Sequence, residues 1–273
     1  CFGEGWGWRR SGTVEAWRQL MKDQANKKVL QIRQTSGPQH WLKTSVRSRV
    51  DLVETGHCDL SIGPQQHSGC SWHPPTLWIG VGCERNTSKS LIHRAIGQSL
   101  NDAGFAIEAI AGLATADRKA DEPALLDLCH DYDWPLRTYK AEQLAVIPVP
   151  TPSESVHKEM GTASVAEAAA LLTAGGSGTL RQSKRIHHAH ESEQGAVTIA
   201  IAESAVPMAP HRGELHLIGS GPGDPALMSG DATSALRRCT AWVGYELYLD
   251  LLEPLRRPNQ IRFDGQLTKE WDR

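Results

Sequence analysis

A short apolar run that ends in glycines, followed by a one-sided helical pattern, constrains the fold of this chain more than any other feature. Residues 77–83 read LWIGVGC, and the Asn-Thr-Ser of residues 86–88 follows as a helix cap. The next apolar residues share one helical face until Gly104 ends the pattern: Leu91, Ile92, Ala95, Ile96 and Leu100. The order strand, loop and helix is the repeating unit of layered α/β domains.

The same alternation continues downstream. Residues 107–116 are apolar and strand-like, and Asp121 is expected to cap a helix that has Pro123 in its first turn. Residues 146–149 predict a further short strand.

The last part of this region adds a second helix and another strand. Residues 165–174 form an alanine-rich helical pattern closed by two glycines, residues 183–195 are polar and predict an exposed loop, and residues 197–202 form a β-branched run typical of a buried strand. We therefore predict a three-layer α/β domain over residues 76–203, with a mainly parallel sheet.

Two other regions flank this domain. Residues 1–75 predict a small α+β region, with a helical pattern at 14–21 and an alternating run at 28–33. Residues 204–213 break all periodicity and predict a linker to a second unit at 214–273. That unit is expected to contain strands at 215–219 and 241–244, helices at 231–238 and 247–255, and a last short run around Ile261.

Composition excludes several classes of function. The chain has 273 residues, of which 40% are hydrophobic and 22% charged, and its net charge of −2 predicts no binding to nucleic acid. The most apolar run, residues 106–116, is broken by Glu108 and falls short of the ~20 apolar residues that a membrane helix needs. Six cysteines in a chain of this size predict reduced thiols and a cytoplasmic location.

The first candidate site is the glycine-rich loop that follows residues 215–218. Gly219, Gly221 and Gly223 let backbone N–H groups approach a ligand, whereas Pro222 removes one donor. The spacing differs from the dinucleotide fingerprint, and Asp224 suits ribose hydroxyls or an amine better than a phosphate. A plain tight turn is the alternative interpretation.

The second candidate site follows the strand at 77–83. Gly82 and Cys83 precede Thr87 and Ser88 at a helix N-terminus, whose free N–H groups could hold a substrate carboxylate. The alternative is a strand-to-helix turn that needs glycine for steric reasons. Cys83 has no evident base beside it, so a role as nucleophile is disfavoured.

Charged residues at two other helix starts are candidates for proton transfer. Glu122 could act as an acid or base with Lys119 orienting it, and Glu167 lies in the first turn of the alanine-rich helix. Gly161 and Thr162 precede that helix and are small enough to admit a large flat ligand. The alternative in each case is a capped helix whose acid complements the helix dipole.

Histidine and cysteine residues between positions 57 and 73 raise the question of a metal site. They match no paired Cys/His ligand signature, so no metal is predicted: His57, Cys58, His67, Cys70 and His73.

Several of these blocks together resemble the CbiG family of cobalamin biosynthesis, the cobalt-precorrin-5A hydrolases. The resemblance to the C-terminal domain of that family is carried in order by residues 77–88, 111–123, 161–172, 183–184 and 197–202. Residues 5–9, GWGWR, are similar to its middle region. Because Cys1 is followed at once by residues typical of a domain interior, we expect the beginning of the family pattern to be absent.

The last unit resembles the start of a tetrapyrrole methylase of the CobJ type, which methylates precorrin-3B at ring carbon 17. Residues 219–225 and 243–251 carry this resemblance. It implies S-adenosylmethionine as cofactor, held at Gly219, Gly221, Pro222, Gly223 and Asp224. The family pattern is interrupted at Arg273, so we expect an incomplete cofactor site and no methylation.

The hydrolase resemblance implies lactone opening and acetaldehyde release from a corrinoid, with cobalt present only as part of the substrate. It implies that other corrin-pathway enzymes are partners. Glu122, Lys119 and Glu167 are the expected catalytic residues. The residues expected to bind substrate are Gly82, Cys83, Thr87, Ser88, Gly161, Thr162 and Lys184.

Two other functions remain as alternatives. The first is a non-catalytic carrier of corrinoid intermediates. The second is a nicotinamide-linked enzyme, which the glycine spacing at 219–224 disfavours.

Overall fold

The N-terminal region of the computed structural model forms a five-stranded sheet with one long helix packed on it. The structure describes residues 2–39, 50–152, 164–208, 215–221 and 224–265. The sheet order is β1-β5-β4-β2-β3, and only β1 is antiparallel to its neighbour. Its strands are β1 (Arg9–Ser11), β2 (Leu30–Gln34), β3 (Val50–Leu52), β4 (Leu60–Ile62) and β5 (Cys70–His73).

Two helices accompany this sheet. The short α1 (Phe2–Gly5) precedes β1, and α2 (Val14–Ala25) begins where the Thr13 hydroxyl accepts a hydrogen bond from the backbone N–H of Ala16. Trp17 and Leu20 of α2 pack on a core that includes Trp72 of β5. The predicted helix and the alternating run at 28–33 are therefore both present.

A second five-stranded sheet forms the central domain in the order β8-β7-β6-β10-β9. Its strands are β6 (Leu77–Cys83), β7 (Ile110–Ala116), β8 (Leu136–Tyr139), β9 (Thr179–His188) and β10 (Ala196–Glu203). Strands β6, β7 and β8 are parallel, whereas β10 and β9 are antiparallel to their neighbours. The α/β class is confirmed, but the sheet is half parallel rather than mainly parallel.

Helices cover both faces of this sheet and give three layers. Leu77, Ile79 and Val81 point to one face, where they share a core with α3 (Lys89–Ala103) and α4 (Pro123–Tyr132). Trp78 points to the other face and packs on α6 (Val165–Ala174). The short α5 (Ala141–Ala145) lies beside α6 and contributes Leu144 to the core there.

Glycine residues allow α6 to lie very close to the central strand. A Cβ placed on Gly80 would lie 1.8 Å from the carbonyl oxygen of Ala166 and 2.9 Å from Cβ of Ala170. Alanine on the helix and glycine on the strand therefore bring the two backbones into direct contact.

Three local predictions are corrected in the central domain. Residues 183–188, predicted as loop, belong to β9, because an edge strand with one solvent face keeps its polar residues on that face. Residues 146–149 form no strand, since Pro148 and Pro150 lack the N–H that a ladder needs. Glu122, not Asp121, is the N-cap of α4, and the Asp121 carboxylate accepts from Arg85 instead at 2.6 Å.

The C-terminal segment forms a small βαβ unit. It contains α7 (Gly230–Arg238), β11 (Ala241–Tyr245), α8 (Glu246–Leu252) and β12 (Ile261–Gly265), with β11 and β12 parallel. Leu236, Trp242 and Leu249 form its core. The strand predicted at 215–219 is wrong: this stretch makes no strand pairing, and Leu217 is 91% exposed.

Two features are absent from the described residues. None of the described helices combines the length and the apolar character that a bilayer crossing requires. Within the same ranges, no group of three His, Cys, Asp or Glu side chains is arranged to hold a metal ion.

The contact of α6 with β6 gives a stability prediction. Gly80→Ala places a methyl group against the backbone of α6, so we expect the free energy of unfolding to fall by about 1–3 kcal/mol in a denaturant titration. Gly97→Ala in α3 is the matched control, because nothing lies within 4 Å of the added methyl group. It should raise stability by about 0.5–1 kcal/mol, and equal effects of the two variants would contradict this packing.

Candidate functional site at the carboxyl edge of the central sheet

The carboxyl ends of β6 and β7 lie at one edge of the central sheet, and three helices begin there. Strands β7 and β8 lie on one side of β6, and strands β10 and β9 lie on the other side. The sheet order therefore changes direction at β6. Ligands of open α/β sheets bind at this kind of switch point. The N-termini of α3, α4 and α6 lie at the same edge, and the first N–H groups of a helix have no acceptor within the helix itself.

Glu122 is the central acidic group of this edge. Its side chain is 1% exposed, and its Oε1 accepts a hydrogen bond of 2.7 Å from the backbone N–H of Asn86. Asn86 has a φ of 58°, a left-handed conformation that asparagine tolerates. Oε2 has no hydrogen-bond partner among the described residues, although it is buried.

Two cations lie near this oxygen at longer distance. The Glu122 Oε2 atom is 3.6 Å from Nη1 of Arg85 and 3.9 Å from Nζ of Lys119. Both distances exceed that of a hydrogen bond. Arg85 also donates to the Asp121 carboxylate at 2.6 Å and to the carbonyl of Arg118 at 2.5 Å. Arg85 is thus held in place by other bonds. Lys119 forms one ion pair within the described chain, the 3.9 Å contact with Glu122.

Cys83 ends β6 beside these charges. Burial raises the pKa of the Cys83 thiol to about 11, with the positive charge of Lys119 opposing the shift. The thiol is therefore protonated at neutral pH and is a poor nucleophile. Gly82 precedes it, and the hydroxyl of Thr198 donates to the Gly82 carbonyl at 3.0 Å.

Thr87 and Ser88 use their side chains to hold the loop that precedes α3. The buried Thr87 hydroxyl donates to the carbonyl of Glu84 at 2.9 Å. The Ser88 hydroxyl accepts from the backbone N–H of Gln194 at 2.7 Å. These bonds favour the interpretation of this segment as a strand-to-helix turn. Contact of Thr87 and Ser88 with a substrate stays a prediction.

Glu167 lies in the first turn of α6 but differs from Glu122 in its bonds. Its carboxylate is fully buried and accepts from the Thr151 hydroxyl at 2.6 Å, the Thr151 N–H at 3.4 Å and the Lys184 N–H at 3.0 Å. Ser164 caps the same helix. A carboxylate with three donors is well suited to joining the loop at Thr151, helix α6 and strand β9. The catalytic role of Glu167 stays a prediction.

The remaining predicted residues have different outcomes. Lys184 contributes its backbone N–H to Glu167, and its half-buried side chain has no ion pair with any described residue. Gly161 and Thr162 lie outside the described residues, as do Pro222 and Gly223.

The loop at 219–224 is built as a turn where it is described. Gly221 has a φ of 60°, and nothing lies within 4 Å of a Cβ placed on Gly219 or Gly221. The Asp224 carboxylate accepts from the N–H of Ala226 at 2.8 Å and so caps a short turn.

The structure adds two residues that the sequence reasoning missed. Asn86 supplies the N–H that binds Glu122, and Arg85 supplies the nearer of its two cations. An asparagine two residues before the cap of a helix is a signal for a left-handed turn. No local signal shows that this turn meets Glu122.

The bonds of Glu167 give a second prediction. Glu167→Gln replaces one acceptor oxygen by an NH2 group, which repels the N–H of Thr151 or Lys184. We therefore expect the free energy of unfolding to fall by about 1–3 kcal/mol. The exposed Glu142→Gln is the control and should change stability by less than about 0.5 kcal/mol. An unchanged melting temperature for Glu167→Gln would contradict the structural role.

Comparison with known proteins assigns residues 77–202 to the family described as Cobalamin synthesis G C-terminus. The chain is 27% identical over 217 residues to a cobalt-precorrin-5A hydrolase of Priestia megaterium, covering 72% of this chain and 55% of the hydrolase. It thus spans about half the length of that relative. It is 33% identical over 126 residues to Protein CobE of Sinorhizobium sp, covering 45% of this chain and 82% of that protein.

A solved structure of CobE, described as a protein from the cobalamin (vitamin B12) biosynthetic pathway, is 29% identical with a TM-score of 0.41. The match covers 46% of this chain and 92% of that one. Residues 77–202 match the family, and the chain is 33% identical to CobE over 82% of the length of that protein. This chain therefore belongs to the Cobalamin synthesis G C-terminus family.

Proposed function

We propose that this chain hydrolyses a lactone on a cobalt-precorrin-5A-type corrinoid and releases acetaldehyde. The observation that carries the proposal is the buried Glu122 carboxylate. One of its oxygens lies beside Lys119 and Arg85 and accepts no hydrogen bond from any described residue. The similarity to a cobalt-precorrin-5A hydrolase supports the choice of substrate.

The open oxygen of Glu122 fits the role of general base. The backbone N–H of Asn86 holds Oε1 in place, while Oε2 keeps its lone pairs for an incoming donor. A water at hydrogen-bond distance from Oε2 could transfer a proton to it as the water oxygen attacks the lactone carbonyl. The attack adds the water oxygen to that carbon and breaks the ring C–O bond, which leaves a carboxylate and an alcohol. Acetaldehyde is then released when the alcohol loses its proton, its carbon becomes a carbonyl, and the C–C bond to the macrocycle breaks with the electron pair left on the macrocycle.

Lys119 fits the complementary role. Its ammonium lies close enough to Glu122 to share one substrate group, and its side chain is 13% exposed. It can stabilise the negative oxygen that develops on the carbonyl, or donate a proton to the leaving oxygen. The free N–H groups at the start of α3 and α4 are suited to bind the carboxylates of the macrocycle.

The catalytic proposal is tested by measuring acetaldehyde release from cobalt-precorrin-5A. Glu122→Gln keeps the Asn86 bond through its amide oxygen but cannot accept a proton, so kcat should fall about 10²–10⁴-fold. Lys119→Met should also lower kcat, and Glu142→Gln is the matched control at an exposed position. Circular dichroism of each variant checks that the fold is kept.

The outcomes of these experiments distinguish a catalyst from a non-catalytic carrier of corrinoids. Full activity of Glu122→Gln would refute the role of this carboxylate. Binding of the corrinoid with a spectral change but no acetaldehyde from the unmodified chain would refute the hydrolase proposal and support a carrier.

We also propose that residues 214–273 correspond to the first βα units of a tetrapyrrole methylase. The parallel pair β11 and β12 joined through α8 supports this, since a parallel pair with a helical crossover is the unit of such α/β lobes. The S-adenosylmethionine loop would comprise Gly219, Gly221, Pro222, Gly223 and Asp224.

This part gives a ligand-binding prediction. Gly219, Gly221 and Asp224 are exposed, and Gly219 and Gly221 have open space around them. We therefore expect S-adenosylmethionine to bind with a Kd above about 1 mM in equilibrium dialysis. We likewise expect no methyl transfer to precorrin-3B. Micromolar binding that Asp224→Ala abolishes would show instead that this loop forms a complete site.

A further inference from the structure

We propose that a cavity between the N-terminal sheet and the C-terminal segment binds a planar, largely apolar molecule that carries several carboxylates. The cavity has a volume of about 660 Å³, within the range of about 300–1,000 Å³ typical of small-molecule sites. It is separate from the carboxyl edge of the central sheet, since neither Glu122 nor Lys119 lines it.

One wall of the cavity is apolar and aromatic. Leu30, Ile32, Leu60 and Trp72 of the N-terminal sheet lie beneath it and are each at most 5% exposed, and α2 adds the half-buried Trp17. The rings of Trp17 and Trp72 are held edge to face at 5.3 Å. The partly exposed indole of Trp17 favours a flat apolar ligand, because an aromatic side chain offers a broad rigid surface.

The opposite wall is cationic. Arg237 and Arg238 at the end of α7 line the cavity with Arg257, and all three are exposed. Of the described residues that line the cavity, Glu4 alone is acidic. The two walls approach each other, since a Cβ on Gly5 would lie 3.3 Å from Nδ2 of Asn259.

These three arginines differ from their neighbours in the same segment. Arg256 pairs with Glu253 at 2.5 Å, and Arg262 pairs with Asp250 at 2.7 Å and with Asp264 at 2.6 Å. No ion pair or hydrogen bond joins the guanidinium group of Arg237, Arg238 or Arg257 to any other described residue. Their guanidinium groups are therefore available, and arginine binds carboxylates through paired N–H groups.

The pairing of an aromatic wall with three available guanidinium groups selects the ligand class. A small inorganic anion would leave the tryptophan wall uncovered, and a neutral apolar molecule would leave the arginines without partners. A planar ring system with peripheral carboxylates satisfies both walls. The inference rests on the proposed function in one respect: the corrinoid substrate belongs to this chemical class, so the cavity would be a second place where the chain holds it.

The test uses uroporphyrin, a polycarboxylate porphyrin, with the full chain. Binding is followed by quenching of tryptophan fluorescence, and a tetracationic N-methylpyridyl porphyrin is the probe of opposite charge. We expect saturable binding of uroporphyrin, and a Kd about tenfold or more higher for the triple variant Arg237→Gln, Arg238→Gln and Arg257→Gln.

A second triple variant controls for net charge. Arg10→Gln, Arg18→Gln and Arg137→Gln removes three exposed arginines that do not line the cavity, and it should leave the uroporphyrin Kd within about twofold. Equal weakening by both triple variants, or equal affinity for the cationic porphyrin, would overturn the proposal. So would a dimer in sedimentation that the first triple variant dissociates, with no uroporphyrin binding by the unmodified chain.

Failure of this proposal is distinguishable from failure of the hydrolase proposal. Arginine-dependent porphyrin binding without acetaldehyde release supports the cavity and refutes the hydrolase. Acetaldehyde release with no porphyrin binding refutes the cavity and leaves the hydrolase standing.

Discussion

The close contact between α6 and the central strand is the constraint on which the candidate site depends. Gly80 has no side chain, so the backbone of Ala166 lies where a Cβ would be. This contact fixes the N-terminus of α6 beside Gly82, at the same edge as the starts of α3 and α4. It also buries Glu167 completely, and the Thr151 and Lys184 donors compensate that burial. The alanine-rich face of α6 is thus required by geometry and not only by helix propensity.

The charge distribution at this edge connects the fold to chemistry. Removing a carboxylate from water is unfavourable unless donors or cations replace the lost hydration. Glu122 receives one N–H from Asn86 and the field of two cations, yet one of its oxygens keeps no hydrogen bond in the described chain. Buried polar atoms without partners are uncommon and concentrate where a ligand supplies the missing bond. The neighbouring Cys83 is kept as a neutral thiol, because burial raises its pKa to about 11.

Predictions from the sequence were accurate where local signals act alone. The strand Leu77–Cys83 and the helix Val165–Ala174 have the predicted ends, because glycines and capping side chains define termini within a few residues. Gly104 ends α3 with a φ of 70°, as expected of a glycine stop. Prediction failed at β9, since an edge strand with polar residues on its solvent face resembles a loop until its pairing with β10 is known. It also failed at 215–219, where strand-like residues find no partner strand in the described chain.

The sequence by itself determined the α/β class, the alternation of elements and the family blocks between residues 77 and 202, because these depend on short-range periodicity and on local motifs. It could not distinguish Glu122 from Glu167, since both are acids at helix starts after small or charged residues. Only the tertiary structure decided that Glu167 is saturated by donors from a loop and from β9, while Glu122 meets an N–H 36 residues away and keeps one oxygen open. The same holds for the arginines of the last segment, whose identical side chains become paired or available according to which acids the fold places beside them. The physical reason is that hydrogen bonding and charge pairing depend on distances between residues remote in sequence, which local patterns do not contain.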